Sequence, residues 1–226
     1  MISLCCPTRG RPDNIRRFVA SALGQAFMCH NVECLFYVDE DDPSPKPDIP
    51  KELMAYCRFI VGPRITLSEC TNQCAKEAKG EILGYMGDDI IFRTEDWETY
   101  VEDAFEESKD KILLVYGRDG YQDEKLATHG FVSRRWYETL GYLVPPYFVS
   151  EYSDTWLTQI AQSLGRLHYI PELYTEHMHP IAGKAAWDKT HEERKARGDA
   201  AKVGELFDRL LPKRLEDFHK LKRLLA

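Results

Sequence analysis

Short apolar runs alternate along the chain with longer stretches in which apolar residues recur at helical spacing, the pattern of β-α-β units around a sheet. "ISLCC" (2–6) reads as the first strand, and Pro12 opens a helix with Ile15, Phe18, Val19 and Ala22 on one face. "ECLFYVDE" (33–40) and "CRFIVG" (57–62) are the second and third strands, separated by a proline-rich surface loop. "LSECTNQCAKEAKG" is a helix with Leu67, Cys70, Cys74 and Ala78 along one side and Gly80 as its stop. "EILGYM" (81–86) is a buried strand that runs straight into Gly87-Asp88-Asp89. In open α/β sheets ligands collect at the carboxyl ends of strands, so this acidic pair stands where chemistry is expected.

In the second half, "TEDWETYVEDAFEESK" is a helix that Thr94 would cap, and "KILLVYG" (111–117) is a strand. A short segment "GFVSRR" and a helix towards Gly141 follow. "SDTWLTQIAQSLG" places Leu157, Ile160, Ala161 and Leu164 on one side before Gly165 ends it. "RLHYIPELYTEHMHP" returns as short strands, and from about 185 the chain is charged and of helical period, a peripheral tail. The expected fold class is α/β, a mostly parallel, Rossmann-like sheet flanked by helices. Residues 1–184 form its main domain and 185–226 a C-terminal helical extension.

With 226 residues, 43% of them hydrophobic, the chain can bury one sizeable core. A net charge of −7 and a pI near 5.6 rule out a global positive field for nucleic acid or anionic lipid. No run reaches the ~18 apolar residues of a membrane helix, and "MISLCCPTRGRP" meets a proline too early for a signal peptide, so a cytoplasmic protein without membrane insertion is expected. Seven cysteines without a C-x-x-C pair read as reduced, mostly buried thiols. Neither G-x-G-x-x-G nor G-x-x-x-x-G-K-[ST] occurs, so neither a dinucleotide site nor a P-loop is indicated.

Asp88 and Asp89 have two accounts: an acidic turn leading into a helix, or ligands of a hard divalent cation, Mg²⁺ or Mn²⁺. His177 and His179 form H-x-H at a strand end, and an imidazole joining the carboxylates would favour Mn²⁺. Asp154 either caps its helix or serves as a general base. Arg9, Arg11 and Arg64 follow the first and third strands and would gather at the same edge, where guanidinium groups suit phosphate. Asp39 ends the second strand and could accept hydrogen bonds from a base or ribose. Lys184 could close over phosphates from its loop. On the second half, Tyr121, His129 and Tyr152 offer aromatic faces on which sugar rings or bases stack.

Taken in order, these segments resemble glycosyltransferases of the GT-A fold, of the family-2-like kind, over residues 2 to about 190. "PTRGRP" is similar to the family's opening loop along the nucleotide, which implies donor contacts for Pro7, Thr8, Arg9 and Arg11. "YVDE" carries Asp39 where the family contacts the base. "GPRITLSECTNQCAKEAKGEILGYMGDD" resembles the run from a basic loop, with Arg64, through a helix bearing Asn72 to the D-x-D metal motif. Gly87 falls at that motif's first aspartate, which makes Asp89 the metal ligand and leaves Asp88 nearer ribose or a metal-bound water, though possible as a ligand. "SDTWLTQIAQSLG" is similar to the E-D-x-x-L-x(7)-G helix, with Asp154 at the catalytic aspartate and Ser153 replacing the usual glutamate; "IPELYTEH" selects His177 over His179 as metal ligand.

The resemblance implies metal-dependent transfer of a hexose from a nucleoside-diphosphate sugar, a UDP-sugar above all, to a hydroxyl acceptor, with inversion and Asp154 as base. Residues 1–92 would bind the donor and 93–184 face the acceptor. "VDEDDP" and "HMHPIAGKAAWD" add a narrower likeness to small bacteriophage-encoded glycosyltransferases, which implies host cytoplasm and an acceptor that is virion protein, modified DNA or a glycan. Two other accounts stay open: a nucleotidyltransferase acting on sugar phosphates, and an inactive module that only binds nucleotide sugar.

Overall fold

The structure is a computed structural model that describes residues 1–225. Eight strands form one sheet: β1 (Ile2–Thr8), β2 (Val32–Asp39), β3 (Cys57–Gly62), β4 (Ile82–Tyr85), β5 (Ile90–Phe92), β6 (Leu114–Arg118), β7 (Gly130–Ser133) and β8 (Leu167–His177). Their order is β3-β2-β1-β4-β7-β6-β8-β5. The first four run parallel, β6 is parallel to β8, and β7 and β5 are antiparallel to their neighbours, so the sheet is mixed. The helices are α1 (Pro12–Gly24), α2 (Lys51–Met54), α3 (Leu67–Glu77), α4 (Trp97–Glu107), α5 (Arg134–Leu140), α6 (Ser153–Leu164), α7 (Lys189–Ala200), α8 (Val203–Arg209) and α9 (Leu211–Lys222). Among the described residues no helix is long and apolar enough to cross a membrane.

Side chains alternate across a strand, so each buried strand feeds two cores. Ile2, Leu4 and Cys6 of β1 join Phe18, Phe36, Phe92 and Trp97 on one side; Cys5 joins Leu35, Leu83, Trp136 and Trp156 on the other. The Phe18 ring stands edge-on to both Phe36 and Phe92. Phe92 belongs to β5, at the far end of the strand order, and its contact with α1 means that the sheet curls. All seven cysteines are free, four of them in β1 and α3 buried as expected.

Four expectations are corrected. The segment after Gly165 is one eleven-residue strand rather than several, with an irregularity: Gly117 pairs with Ile170, but Arg118 pairs with Tyr174. The extra residues include Pro171, which has no N–H to give a ladder. A Cβ on Gly117 would lie 2.0 Å from the Leu173 carbonyl oxygen, so only glycine fits beneath this bulge. The bulge also explains why Thr94 does not cap α4: its hydroxyl donates to the Glu172 carbonyl at 2.7 Å and accepts from the Tyr174 N–H at 2.7 Å. The cap position is Asp96, in the left-handed region at φ 54°. Gly80 does not stop α3, which ends at Glu77; a Cβ there would strike the Met1 carbonyl oxygen at 2.6 Å, so Gly80 serves close approach to β1.

The tail is not peripheral. Leu221 and Asp217 of α9 are fully buried, Asp217 accepts a hydrogen bond from the Tyr142 hydroxyl, and the Arg214 guanidinium lies 4.0 Å above the Phe207 ring. Leu221→Ala should therefore cost about 2–5 kcal/mol in denaturant unfolding, as large-to-small core changes do. A loss below about 0.5 kcal/mol, the ordinary range for surface changes, would show that α9 is an appendage after all.

Candidate active site

Three backbone connections assemble the site at the carboxyl edge of the parallel strands. Antiparallel pairing of β5 with β8 sets Ile90 opposite His177, and the Met178 N–H donates to the Asp89 carbonyl at 2.8 Å. The His177 N–H donates to the Asp119 carbonyl at 2.9 Å. Asp89 and His177, distant in sequence, thus become neighbours: His177 Nε2 lies 3.4 Å from Asp89 Oδ1. Gly87 is needed beside them, because a Cβ there would meet Asp89 Oδ1 at 2.6 Å.

Asp89, His129 and His177 offer ligand atoms that all lie within 4.8 Å of one another. His129 Nε2 is buried with no hydrogen-bond partner. Its Nδ1 accepts a long bond, 3.3 Å, from the Gly87 N–H, so coordination through Nε2 would move the ring proton to Nδ1 and give up that bond. On the other flank of His177, Asp119 Oδ2 stands 3.6 Å from Nδ1. Asp119 is itself rigidly held: Oδ1 accepts from the N–H groups of Tyr121, Gln122 and Asp123, and Oδ2 accepts from Thr128. A carboxylate behind an imidazole is the arrangement that orients metal-binding histidines.

The carboxylates on either side of His177 dominate the electrostatics of the cluster. Burial works against charge on His177, but the Asp119 and Asp89 carboxylates outweigh it and hold the ring up at about 9. Burial also opposes charge on Asp89, yet contact with His177 and His191 keeps its carboxyl well below the usual range. His129 is held down at about 3 by burial and by neighbouring His177, and His179 at about 4 by the same two causes. Two imidazoles and one carboxylate fit Mn²⁺ and other first-row ions better than Mg²⁺, which prefers all-oxygen ligation.

Asp88 is otherwise engaged. Thr8 Oγ1 donates to Oδ2 at 2.7 Å and Arg11 Nη1 to Oδ1 at 2.9 Å, while burial raises its pKa. Arg11 also makes a bidentate pair with Asp188, both bonds 2.8 Å. Arg9 donates to Asp39 at 3.0 Å and pairs with Asp41; Arg64 pairs with Glu193. Asp39 is buried, which raises its pKa against the pull of Arg9.

Asp88, Asp89, His129, His177, Arg9, Arg11 and Arg64 line one cavity of about 300 Å³, with Pro7, Tyr152, Asp154, His191 and Arg194 also on its walls. Asp154 does not cap α6. Tyr152 holds the cap position in a left-handed conformation, Ser153 Oγ pairs with Ser68 Oγ at 3.1 Å, and Asp154 accepts only from the adjacent Thr155 N–H and hydroxyl. Burial raises the Asp154 pKa.

Three residues expected at the donor or acceptor lie elsewhere, and one is moved. Asn72 bridges to the backbone of Leu143 and Val144 and does not line the cavity. Lys184 is tied to Glu176 at 3.1 Å, outside the lining. Tyr121 stacks on His179 at 5.3 Å rather than opening to the cavity. His129, expected to face an acceptor, stands against Asp89 and His177 instead. Sequence reasoning missed Asp119, Asp188, His191 and Arg194. Asp119 precedes a glycine and reads as a turn residue, and the other three cap or sit in a helix with no apolar stripe to orient it.

A search of curated protein sequences gives no match. Among solved structures the fold is similar to the mannosyltransferase PcManGT from Pyrobaculum calidifontis, solved with GDP-Man and Mn²⁺ (TM-score 0.63, 12% identity, 99% of this chain and 69% of that one). It is also similar to S. aureus TarS (TM-score 0.58, 12% identity, 84% of this chain), of which it spans 41%. A shorter TarS, residues 1-349 in complex with UDP, aligns at TM-score 0.59 with 13% identity over 77% of this chain and 59% of that one. The likeness bears out the GT-A fold. Residues 3–165 match the model of "Glycosyl transferase family 2". That stretch is well over half of the chain, which therefore belongs to glycosyl transferase family 2.

Proposed function

We propose that the chain moves a sugar from a nucleoside-diphosphate sugar, UDP-linked in the first instance, to a hydroxyl acceptor, with inversion. The observation that carries this is one cavity bounded by an acid-imidazole cluster, by arginines of two strand-end loops and by the half-buried Asp154 carboxylate. Asp89 and His177, with His129 beside them, would hold Mn²⁺, and Asp119 would orient His177. When bound, the ion supplies Lewis-acid neutralisation of the departing diphosphate.

Asp154 takes the proton of the acceptor hydroxyl as that oxygen attacks C1 of the sugar. The C1 to phosphate-oxygen bond breaks, and the nucleoside diphosphate leaves from the opposite face. Burial suits Asp154 to this role, because a raised pKa makes a stronger base. Tyr152, adjacent on the cavity wall, gives the acceptor an aromatic edge.

The experiment is a screen of UDP- and GDP-sugars for slow hydrolysis, with Mn²⁺ and with chelator. Release of nucleoside diphosphate from one donor class, dependent on the metal, is the expected result. No release from any donor, together with no binding of UDP or GDP, would sink the assignment.

A further inference from the structure

Five arginines line the cavity, and four are committed. Arg9 pairs with Asp39 and Asp41, Arg11 with Asp88 and Asp188, and Arg64 with Glu193, while Arg197 donates to the Ile65 carbonyl at 3.1 Å. Arg194 differs. Among the described residues no carboxylate lies within ion-pair distance of it; its Nη2 approaches His179 Nε2 at 3.5 Å, and its Nε is buried without a partner. Leaving a buried N–H of a cation without an acceptor is costly unless an anion arrives to take it.

The helix that carries Arg194 explains its aim. The α7 sequence, KTHEERKARGDA, contains no large apolar residue, so hydrophobic burial cannot seat it. Polar contacts do. Asp188 accepts from the His191 N–H at 2.8 Å as N-cap while it holds Arg11. Thr190 Oγ1 donates to the Arg9 carbonyl at 3.0 Å. His191, Arg194 and Gly198 recur at helical spacing on the side turned to the cavity, and a Cβ on Gly198 would meet Ser150 Oγ at 2.8 Å, so the helix lies close. The guanidinium is thereby set beside His179, next to the Asp89–His177 pair.

We propose that Arg194 is the guanidinium that clamps the donor's diphosphate, an inference that rests on reading the cavity as the donor site. The strand-loop arginines would have to break pairs with carboxylates to reach phosphate. Arg194 has none to break, and its planar fork matches two phosphate oxygens at once. The clamp would come from a helix beyond the stretch matched by the family model, residues 3–165.

The test uses the full chain with Mn²⁺, titrated with UDP and GDP by calorimetry and with uridine and guanosine by NMR. Arg194→Gln should weaken the better-bound diphosphate by tenfold or more, the order expected for a charge-assisted contact, and leave the matching nucleoside unchanged. Arg194→Lys should recover part of the loss, because it keeps the charge without the fork. Equal diphosphate affinity in wild type and Arg194→Gln would overturn the clamp and leave the donor-site reading standing. Parallel loss of diphosphate and nucleoside would overturn it as well, since it would mark Arg194 as a structural support. Failure of the wild type to bind either diphosphate would remove both.

Discussion

Asp89→Asn should lose metal-dependent donor hydrolysis by more than about 100-fold, since removal of even an outer partner of a metal ligand costs 10–100-fold. Asparagine keeps the volume and the backbone bond to Met178, so the fold should persist, but it removes the charge that draws a cation between Asp89 and His177. His177 would then keep Asp119 beside its Nδ1. Calorimetric titration with Mn²⁺ should show affinity lost in step with hydrolysis. Asp88→Asn provides the contrast: its carboxylate already serves Thr8 and Arg11, so metal affinity should change far less. If Asp89→Asn bound Mn²⁺ as the wild type does, the acid-imidazole cluster would not be the metal site.

Asp154→Asn should fold, bind donor and metal normally, and turn over about 10²–10⁴-fold more slowly, the usual contribution of a positioned general base. The carboxylate has no guanidinium or ammonium partner among the described contacts, and its Thr155 bonds come from its own helix turn. Little stability rides on it, in contrast to an N-cap, whose loss costs about 1 kcal/mol. Donor hydrolysis with water as acceptor gives the rate without knowledge of the natural acceptor. Thermal unfolding separates the two roles: a lowered midpoint with unchanged turnover would make Asp154 a structural residue.

Where burial is two-sided or strictly periodic, the fold was legible in the sequence. β1 and β2 are short apolar runs buried on both faces, α1 and α6 carry clear apolar faces, and Gly141 and Gly165 end their helices in the left-handed conformation that glycine favours. Legibility failed where long-range pairing decides. "IIF" is too short to announce β5, and β8 continues through Pro171 because the bulge takes up its missing donor. Thr94 looked like a cap, and only the bulge explains its other use. In the site, Asp89 and His177 could be found from the motif's order. His129 could not, because its position depends on how β7 meets β4, and Arg194 could not, because α7 has no hydrophobic pattern from which to read a face.

That manner of seating α7 has its own consequence. Most of the fold rests on apolar burial, which dissolved salt barely weakens, but this helix is fastened by guanidinium-carboxylate contacts that mobile ions screen over about 8 Å at physiological ionic strength. The roof of the cavity should therefore loosen in brine while the floor stays rigid. The composition of the surrounding electrolyte, rather than any hinge in the chain, would set how far the chamber stands open.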